Sequence, residues 1–274
     1  MSNDSIRLKQ TLLQMLSWFH SFCEENGLRY FAVGGTLLGA VRHKGLIPWD
    51  DDIDLGMPRN DYERLEQLIG NRKNGRYYFE TTNSERKGYF YTYGKLFDTE
   101  TTLIENLRDK LLLGINIDIF PFDGVGETKE EAVEYLTSIK KKQNLLATRT
   151  SGFRKGRAFY KNAAVAIARI IPSFMFDDKK LLHKINDMCK EKDFETSKFV
   201  ANINGNWGLK EITTREIVGT PQLYDFEDIK IYGIEDYDAY LKGVYGDWTK
   251  LPPEEKRVSQ HDYVYVDFDT PCKL

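Results

Sequence analysis

Residues 34–54 read GGTLLGAVRHKGLIPWDDDID. A glycine pair is followed by an apolar helical pattern, then by Pro48-Trp49, then by four aspartates in five positions, Asp50, Asp51, Asp52 and Asp54. Like charges this close repel one another, so the fold must hold something that offsets them. Immediately upstream, LRYFAV reads as a strand that Gly34-Gly35 breaks. TLLGAVRH then reads as a helix, with Thr36 near its start and Gly45 just past its end. DIDLGM reads as a short strand. Along it Ile53, Leu55 and Met57 point one way and Asp52 and Asp54 the other. The two carboxylates share a face about 7 Å apart at Cα. A hard divalent ion, Mg²⁺ or Mn²⁺, prefers such oxygen ligands and would offset their repulsion. Asp50 and Asp51 precede the alternation and are expected to cap and shape the turn into the strand.

GINIDIFPFDGV, residues 114–125, repeats the logic. Ile115, Ile117 and Ile119 share one face, and Asn116, Asp118 and Phe120 the other. If this strand lies beside the first, Asp118 brings a third carboxylate to the same spot, a common way to hold one or two metals on a phosphate. The glycine pair supplies the opposite side. A helix opening at Thr36 presents unpaired N–H groups that favour an anion, and the glycines let a ligand approach the backbone. Gly39 lets the helix pack close to the sheet. Together these are the parts that phosphoryl or nucleotidyl transfer needs. Taken singly each has a plainer reading: a turn, a solvated cap, a strand-end acid. Their conjunction in fixed order carries the chemistry.

Around this centre, residues 5–25 have the period of an amphipathic helix, with Leu8, Leu12, Met15, Leu16, Phe19 and Phe22 at helical spacing. Pro58 and Asn60-Asp61 introduce another helix with Tyr62, Leu65, Leu68 and Ile69 on one face. RYYFETT and YFYTYGKLFD read as strands, and GINIDIFPFDGV as a strand ended by Pro121. Residues 1–126 thus form a catalytic core of order α-β-α-β-α-β-β-β, an α/β (α+β) mixed sheet flanked by helices. Residues 127–200 read as a mainly helical insertion. From Tyr135 to Phe176 there is no acid, while Lys140, Lys141, Lys142, Arg149, Arg154, Lys155, Arg157, Lys161 and Arg169 all fall there, and the window finishes with the strongly apolar AAVAIARIIPSFMF. Residues 201–274 are expected to complete the active-site cleft, and the whole chain, 1–274, to form a single domain.

The chain has 274 residues, 30% of them charged, and a net charge of −3, so no global field draws it to nucleic acid. Cys23, Cys189 and Cys272 are far apart and the four histidines lack paired spacing, which argues against a disulfide framework or a zinc site. The start, MSNDSIRLKQ, has no apolar run after a basic region, and no stretch reaches transmembrane length. A cytoplasmic location is the expectation.

GGTLLGAVRHKGLIPWDDDID closely resembles the signature of the LicD family, which includes the fukutin-like proteins. GINIDIFPFDGV and YGDWTKLPPEEKR resemble later blocks of that family. The resemblance runs from about residue 25 to 125 and again from 236 to 262, and the basic middle region carries no matching motif. It implies a nucleotidyltransferase-like fold and transfer of a phospho-substituent, in the best-known bacterial members phosphocholine from CDP-choline to a sugar of a surface glycan such as teichoic acid or lipopolysaccharide. Carried over, Gly34, Gly35 and Thr36 match the turn and helix start, Asp52 and Asp54 the metal pair, and Asp118 the third carboxylate.

In that scheme Asp52, Asp54 and Asp118 are catalytic and metal-binding, Asp118 either completing the metal site or taking the acceptor proton. Gly34, Gly35 and Thr36 bind the diphosphate. Arg42 and Lys95 are candidates to neutralise the leaving nucleotide, Arg42 being equally readable as a structural ion pair. Trp49, Tyr245 and Trp248 are candidates for an aromatic cage around a quaternary ammonium, or packing anchors. His261 falls near the site. The basic, acid-free window, residues 135–176, is read either as a surface docking on anionic lipid at the inner face of the cytoplasmic membrane or as a buried helix with solvated lysines. Competing functions are a DxD-type glycosyltransferase, a nucleotidyltransferase making an NDP-alcohol, and a non-catalytic metal-binding homologue.

Overall fold

The computed structural model describes residues 3–153, 158–170, 176–258 and 263–273. Its elements run α1 (Asn3–Asn26), β1 (Phe31–Ala32), α2 (Gly34–His43), β2 (Asp54–Pro58), α3 (Arg59–Ile69), β3 (Lys73–Asn74), β4 (Tyr77–Glu80), β5 (Gly94–Asp98), β6 (Thr102–Glu105), β7 (Leu111–Leu113) and β8 (Asn116–Gly126). They continue with α4 (Lys129–Thr150), α5 (Phe159–Ile170), α6 (Asp178–Cys189), β9 (Phe199–Ala201), β10 (Ile212–Thr214), α7 (Arg215–Val218), β11 (Gln222–Phe226), β12 (Ile229–Gly233), α8 (Tyr237–Tyr245) and β13 (Tyr263–Asp267).

The large sheet is mixed, as the α/β reading requires, in the order β11-β12-β1-β2-β8-β5-β4-β3, with β9 on β8 and β10 on β9. β2 and β8 lie side by side and parallel, and β5 flanks β8 antiparallel. Ile53, Leu55, Met57, Ile115, Ile117 and Ile119 are fully buried on one face of this centre. There they meet the apolar stripe of α1, Leu12, Met15, Leu16 and Phe19, the spacing of a helix that buries one side. β6, β7 and β13 make a small second sheet.

Several local expectations shift. The helix begins at Gly34, so the glycine pair is its first turn and not a break ahead of it. Gly34 has φ +52, which a side chain would resist. β2 begins at Asp54, leaving Asp52 in the approach to the strand. Leu68 is 39% exposed, and α3 instead buries Arg59 and Asp61 beside Tyr62, Leu65 and Ile69. Of YFYTYGKLFD only Gly94–Asp98 is strand. The preceding residues wrap around a buried Glu80, which accepts from Ser84 and Arg86, while the Tyr89 hydroxyl donates to the Glu80 and Tyr93 carbonyls.

Pro121 does not end its strand; β8 runs on to Gly126. The register explains this. The Asp118 N–H points to β2, where it donates to the Ile53 carbonyl at 2.9 Å. With alternating direction, position 121 faces the other edge, between the last β5 partner at Ile119 and the first β9 partner at Asp123. A missing N–H costs no ladder bond there.

Residues 127–200 hold α4, α5 and α6. α4 and α6 bury Leu136, Ile139, Leu146, Leu182 and Ile185 in a core of their own with Val125 and Ile203. The basic window is not one solvated field. Arg149 is buried against Asp178, and Lys140 donates to the Gly205 carbonyl at 2.8 Å. Arg154, Lys155, Arg157 and the side chain of Arg169 lie outside the described residues.

Candidate active site

The parallel register places Asp54 directly opposite Asp118, and β5 places Lys95 on the other side of Asp118. These residues line a cavity of about 380 Å³ together with Val33, Gly34, Gly35 and Asp52. Sheet order alone thus joins acids that are 64 positions apart in the chain, residues 54 and 118.

Asp54 is fixed by α2. Its N–H donates to the Thr36 hydroxyl at 2.8 Å, and its carbonyl accepts from Val33 N at 3.2 Å. Thr36 is buried, so its hydroxyl braces the strand, and only its backbone can serve a phosphate. Burial, then Asp52, Asp118 and Asp50, push the Asp54 carboxyl well above the ordinary range, against the pull of Lys95. A carboxylate-only donor set under mutual repulsion suits a hard divalent cation. The three acids do not form the tightest group. Among the described residues, the trio whose oxygens all fall within 4.8 Å of one another is Asp50, Asp51 and Asp52. The division by strand face therefore separated residues that the approach to β2 draws together.

Asp50 is also part of the glycine turn. A Cβ on Gly35 would stand 2.6 Å from the Asp50 Oδ2. The Asp50 carboxylate thus lies against the first turn of α2, and a helix N-terminus is an end that favours an anion. A Cβ on Gly34 would meet Asp54 and the Tyr245 hydroxyl at 3.5 and 3.7 Å.

Lys95 is nearly buried, with Nζ 2.6 Å from Asp118 Oδ1, 3.1 Å from Asn116 Oδ1 and 3.3 Å from Glu105 Oε1, and over the Tyr91 ring at 4.8 Å. Asp118 and Glu105 hold its ammonium charged although burial opposes this. It thus offsets part of the acid cluster's charge from within the cavity wall.

Arg42 makes structural contacts, with neutral partners in place of the expected ion pair. It donates to the Trp248 carbonyl at 2.9 Å and to His43 Nε2 at 3.0 Å, and it is not among the described cavity-lining residues. Trp49 packs on His43 and under Arg257. Trp248 donates from Nε1 to Asp238 at 3.1 Å and packs on Tyr237. Both are anchors away from the described cavity wall. Tyr245 does line the cavity, edge-on to Trp207 at 4.9 Å. His261 lies outside the described residues.

The wall also contains residues that no sequence pattern singled out: Tyr91, Tyr93, Glu105, Trp207, Glu211, Tyr240 and Tyr263. Glu211 accepts from Trp207 N at 3.2 Å, and burial pushes its carboxyl up to about 7, with Lys140 pulling the other way. Acids and aromatic faces thus share one wall, the surroundings an organic cation prefers.

Residues 27–151 match the family described as LicD/FKTN/FKRP, nucleotidyltransferase domain. The lipopolysaccharide cholinephosphotransferase LicD of Haemophilus influenzae is 31% identical over 252 residues, 91% of this chain and 92% of that one. The human ribitol 5-phosphate transferase FKRP is 53% identical over 47 residues, 17% of this chain and 10% of that one. The yeast mannosyltransferase regulator 4 is 30% identical over 90 residues, 30% of this chain and 8% of its own length.

Proposed function

Because the chain belongs to the LicD family, we propose that it moves phosphocholine, or a similar phospho-alcohol, from a CDP-linked donor to a sugar hydroxyl of a cell-surface glycan precursor. The observation that carries this reading is the register pair Asp54–Asp118, set in the wall of one cavity with the first turn of α2. In the reaction, the acceptor oxygen attacks the phosphorus that bears the alcohol. A new P–O bond forms, the P–O bond to CMP breaks, and CMP leaves with the electron pair. Asp52, Asp54 and Asp118 would hold Mg²⁺ or Mn²⁺, with Asp50 and Asp51 within reach, and that ion would supply charge neutralisation on the phosphates and the departing CMP.

The chain's own groups do the rest. The N–H groups at Gly35 and Thr36 receive phosphate oxygens beside the place where Asp50 now sits. Lys95 fixes the Asp118 carboxylate. Tyr245 and Trp207 offer aromatic surface to a trimethylammonium, with Glu105 and Glu211 nearby in the same wall. The proton of the attacking hydroxyl goes to a carboxylate of the wall. Glu211, pushed up to about 7, matches that task better than Asp118, which Lys95 already hydrogen-bonds.

Asp52→Asn and Asp54→Asn are each expected to abolish metal-dependent CMP release from CDP-choline with an unchanged circular dichroism spectrum. Turnover retained in both would overturn the reading. A thermal-shift screen of CDP-choline against UDP- and GDP-sugars separates it from a glycosyltransferase, and pyrophosphate release would mark a nucleotidyltransferase.

The same proposal includes peripheral contact with an anionic bilayer through residues 135–176. No helix among the described residues is long and apolar enough to cross a membrane. α5 instead leaves Phe159, Tyr160, Ile167 and Ile170 between 64% and 87% exposed, with Lys161 exposed beside them. Apolar side chains flanked by cations suit a lipid interface. Equal sedimentation with neutral and anionic liposomes would remove this part.

A further inference from the structure

A second cavity, of about 640 Å³, opens beside the first. The two share Tyr91, Tyr93, Leu107 and the run Asn204-Gly205-Asn206, so that one loop forms their common partition. Their chemistry differs. The first carries Asp52, Asp54, Asp118, Glu105 and Glu211 in its wall, whereas the described wall of the second holds no carboxylate. Its single cation, Lys140, is committed to the Gly205 carbonyl at 2.8 Å.

What the second cavity offers is amides, hydroxyls and small apolar faces. One long stripe of α4 provides most of them. Thr137, Lys140, Asn144 and Ala147 follow at steps of three and four residues, the spacing of one helix face, and Ser151 caps the helix just beyond them. Gln143 lies beside the stripe and donates to Asn204 Oδ1 at 2.9 Å, which Thr92 Oγ1 also reaches. This network holds the partition loop in place between the two cavities. Phe90, Leu146 and Leu209 supply apolar surface. Among the described residues, a charged ligand would find neither an uncommitted cation nor an acid in this wall. A sugar ring, with hydroxyls around its edge and C–H groups on its faces, can use both amides and apolar surface.

We propose that this second cavity is the acceptor subsite, and that it takes a neutral sugar ring whose hydroxyl reaches the acid-lined cavity past Asn204-Gly205-Asn206. The assignment rests on the phosphotransfer reading above and names where its acceptor binds. It also gives α4 a role as a wall of the cleft.

The test needs no turnover. Saturation-transfer NMR on the full chain, with methyl glycosides of neutral hexoses and N-acetylhexosamines as probes, reads sugar contact directly. At least one glycoside should give signal on the wild-type protein. The signal should fall fivefold or more in Ala147→Trp, which fills the cavity from an exposed helix position, and measurably in Asn144→Ala, which guards against misfolding of the first variant. It should persist in Asp54→Asn. Circular dichroism and the melting temperature, measured in parallel, report whether each variant is folded. Absence of signal on the wild type, undiminished signal in both α4 variants, or loss in Asp54→Asn overturns the subsite. Failure of the functional reading looks different: no CMP release from CDP-choline while the glycoside signals follow the stated pattern.

Discussion

β8 carries two aspartates five positions apart, Asp118 and Asp123, and they lie in opposite circumstances. Asp123 is fully buried and gripped by Arg59, with Nε to Oδ1 at 2.6 Å and Nη2 to Oδ2 at 2.7 Å. One acid meets one base through a two-pronged contact, and both side chains are sealed from water. Asp118 shares the Lys95 ammonium with Glu105, and stands in register with Asp54. Three acids face one cation. The closed pair ties α3 to the sheet. The open cluster is imposed by the sheet and crowds carboxylates into a cavity, where their mutual repulsion is the kind a cationic ligand relieves.

The sharpest way to break this contrast is to neutralise one acid of the open cluster. Asp54→Asn is expected to lower CMP release from CDP-choline by about 10,000-fold, about 5 kcal/mol of barrier. The same change should raise the melting temperature of the metal-free protein, because the charged form of Asp54 is disfavoured by its enclosed position and by Asp52, Asp118 and Asp50. A fall in melting temperature would mean that the cluster holds the fold together after all.

The closed pair should answer in the opposite way. Arg59→Met strands a buried carboxylate and should cost about 3–5 kcal/mol in urea unfolding. Arg59→Met with Asp123→Leu should recover most of that loss, since apolar replacement of a whole buried pair is near neutral. If the double variant is as unstable as the single one, the pair contributes something beyond its own charge balance.

Asp54 and Asp118 were legible because their signal is local. Alternation along two short strands exposes an acid among isoleucines, and only the pairing of those strands had to be supposed. Gly34-Gly35 was legible as the turn into a helix for the same reason, although the sequence put the helix start two residues late. Asp123 carried a signal too, an acid inside the apolar run FPFDGV, which calls for a buried partner. The partner, Arg59, is brought by the first turn of α3, and nothing in its neighbourhood announces it. Glu211, Trp207 and Tyr263 were not legible. They reach the cavity from more than 80 positions beyond Asp118, through β9 and its short hairpin and through the small sheet, and have no periodic pattern of their own. Trp49 and Trp248 drew attention as aromatics near prolines, yet packing had already claimed them.

Glu211 extends the comparison to an acid that lacks a two-pronged partner. Its folded-state value of about 7 lies above the ordinary 4.5, so the folded protein holds this proton more tightly than the unfolded chain does. Stability from this group is therefore fully present below pH 4.5 and is lost as pH rises to about 7. Urea titrations at pH 5 and pH 8 should differ by about 2–3 kcal/mol from this source. Glu211→Gln should flatten the difference, and an unchanged slope would place the titration elsewhere.

The smallest expected effect tests how the open cluster is positioned. Thr36 is the hydroxyl that accepts the Asp54 N–H, at 2.8 Å, across the gap between α2 and β2. Thr36→Val keeps the shape and removes the acceptor, so a backbone donor loses its partner in a half-buried place. The stability cost should be about 1–2 kcal/mol. The kinetic signature separates this from loss of packing. A positioning role predicts that kcat for CMP release falls roughly 10-fold with little change in KM for the donor, because a carboxylate shifted by a fraction of an ångström still binds but no longer orients. Thr36→Ser, which restores the hydroxyl and omits the methyl group, should recover kcat even where it does not recover the melting temperature. If Ser behaves like Val, the contribution of Thr36 is packing alone, and the alignment of Asp54 with Asp118 is set by the β2–β8 ladder without help from the helix.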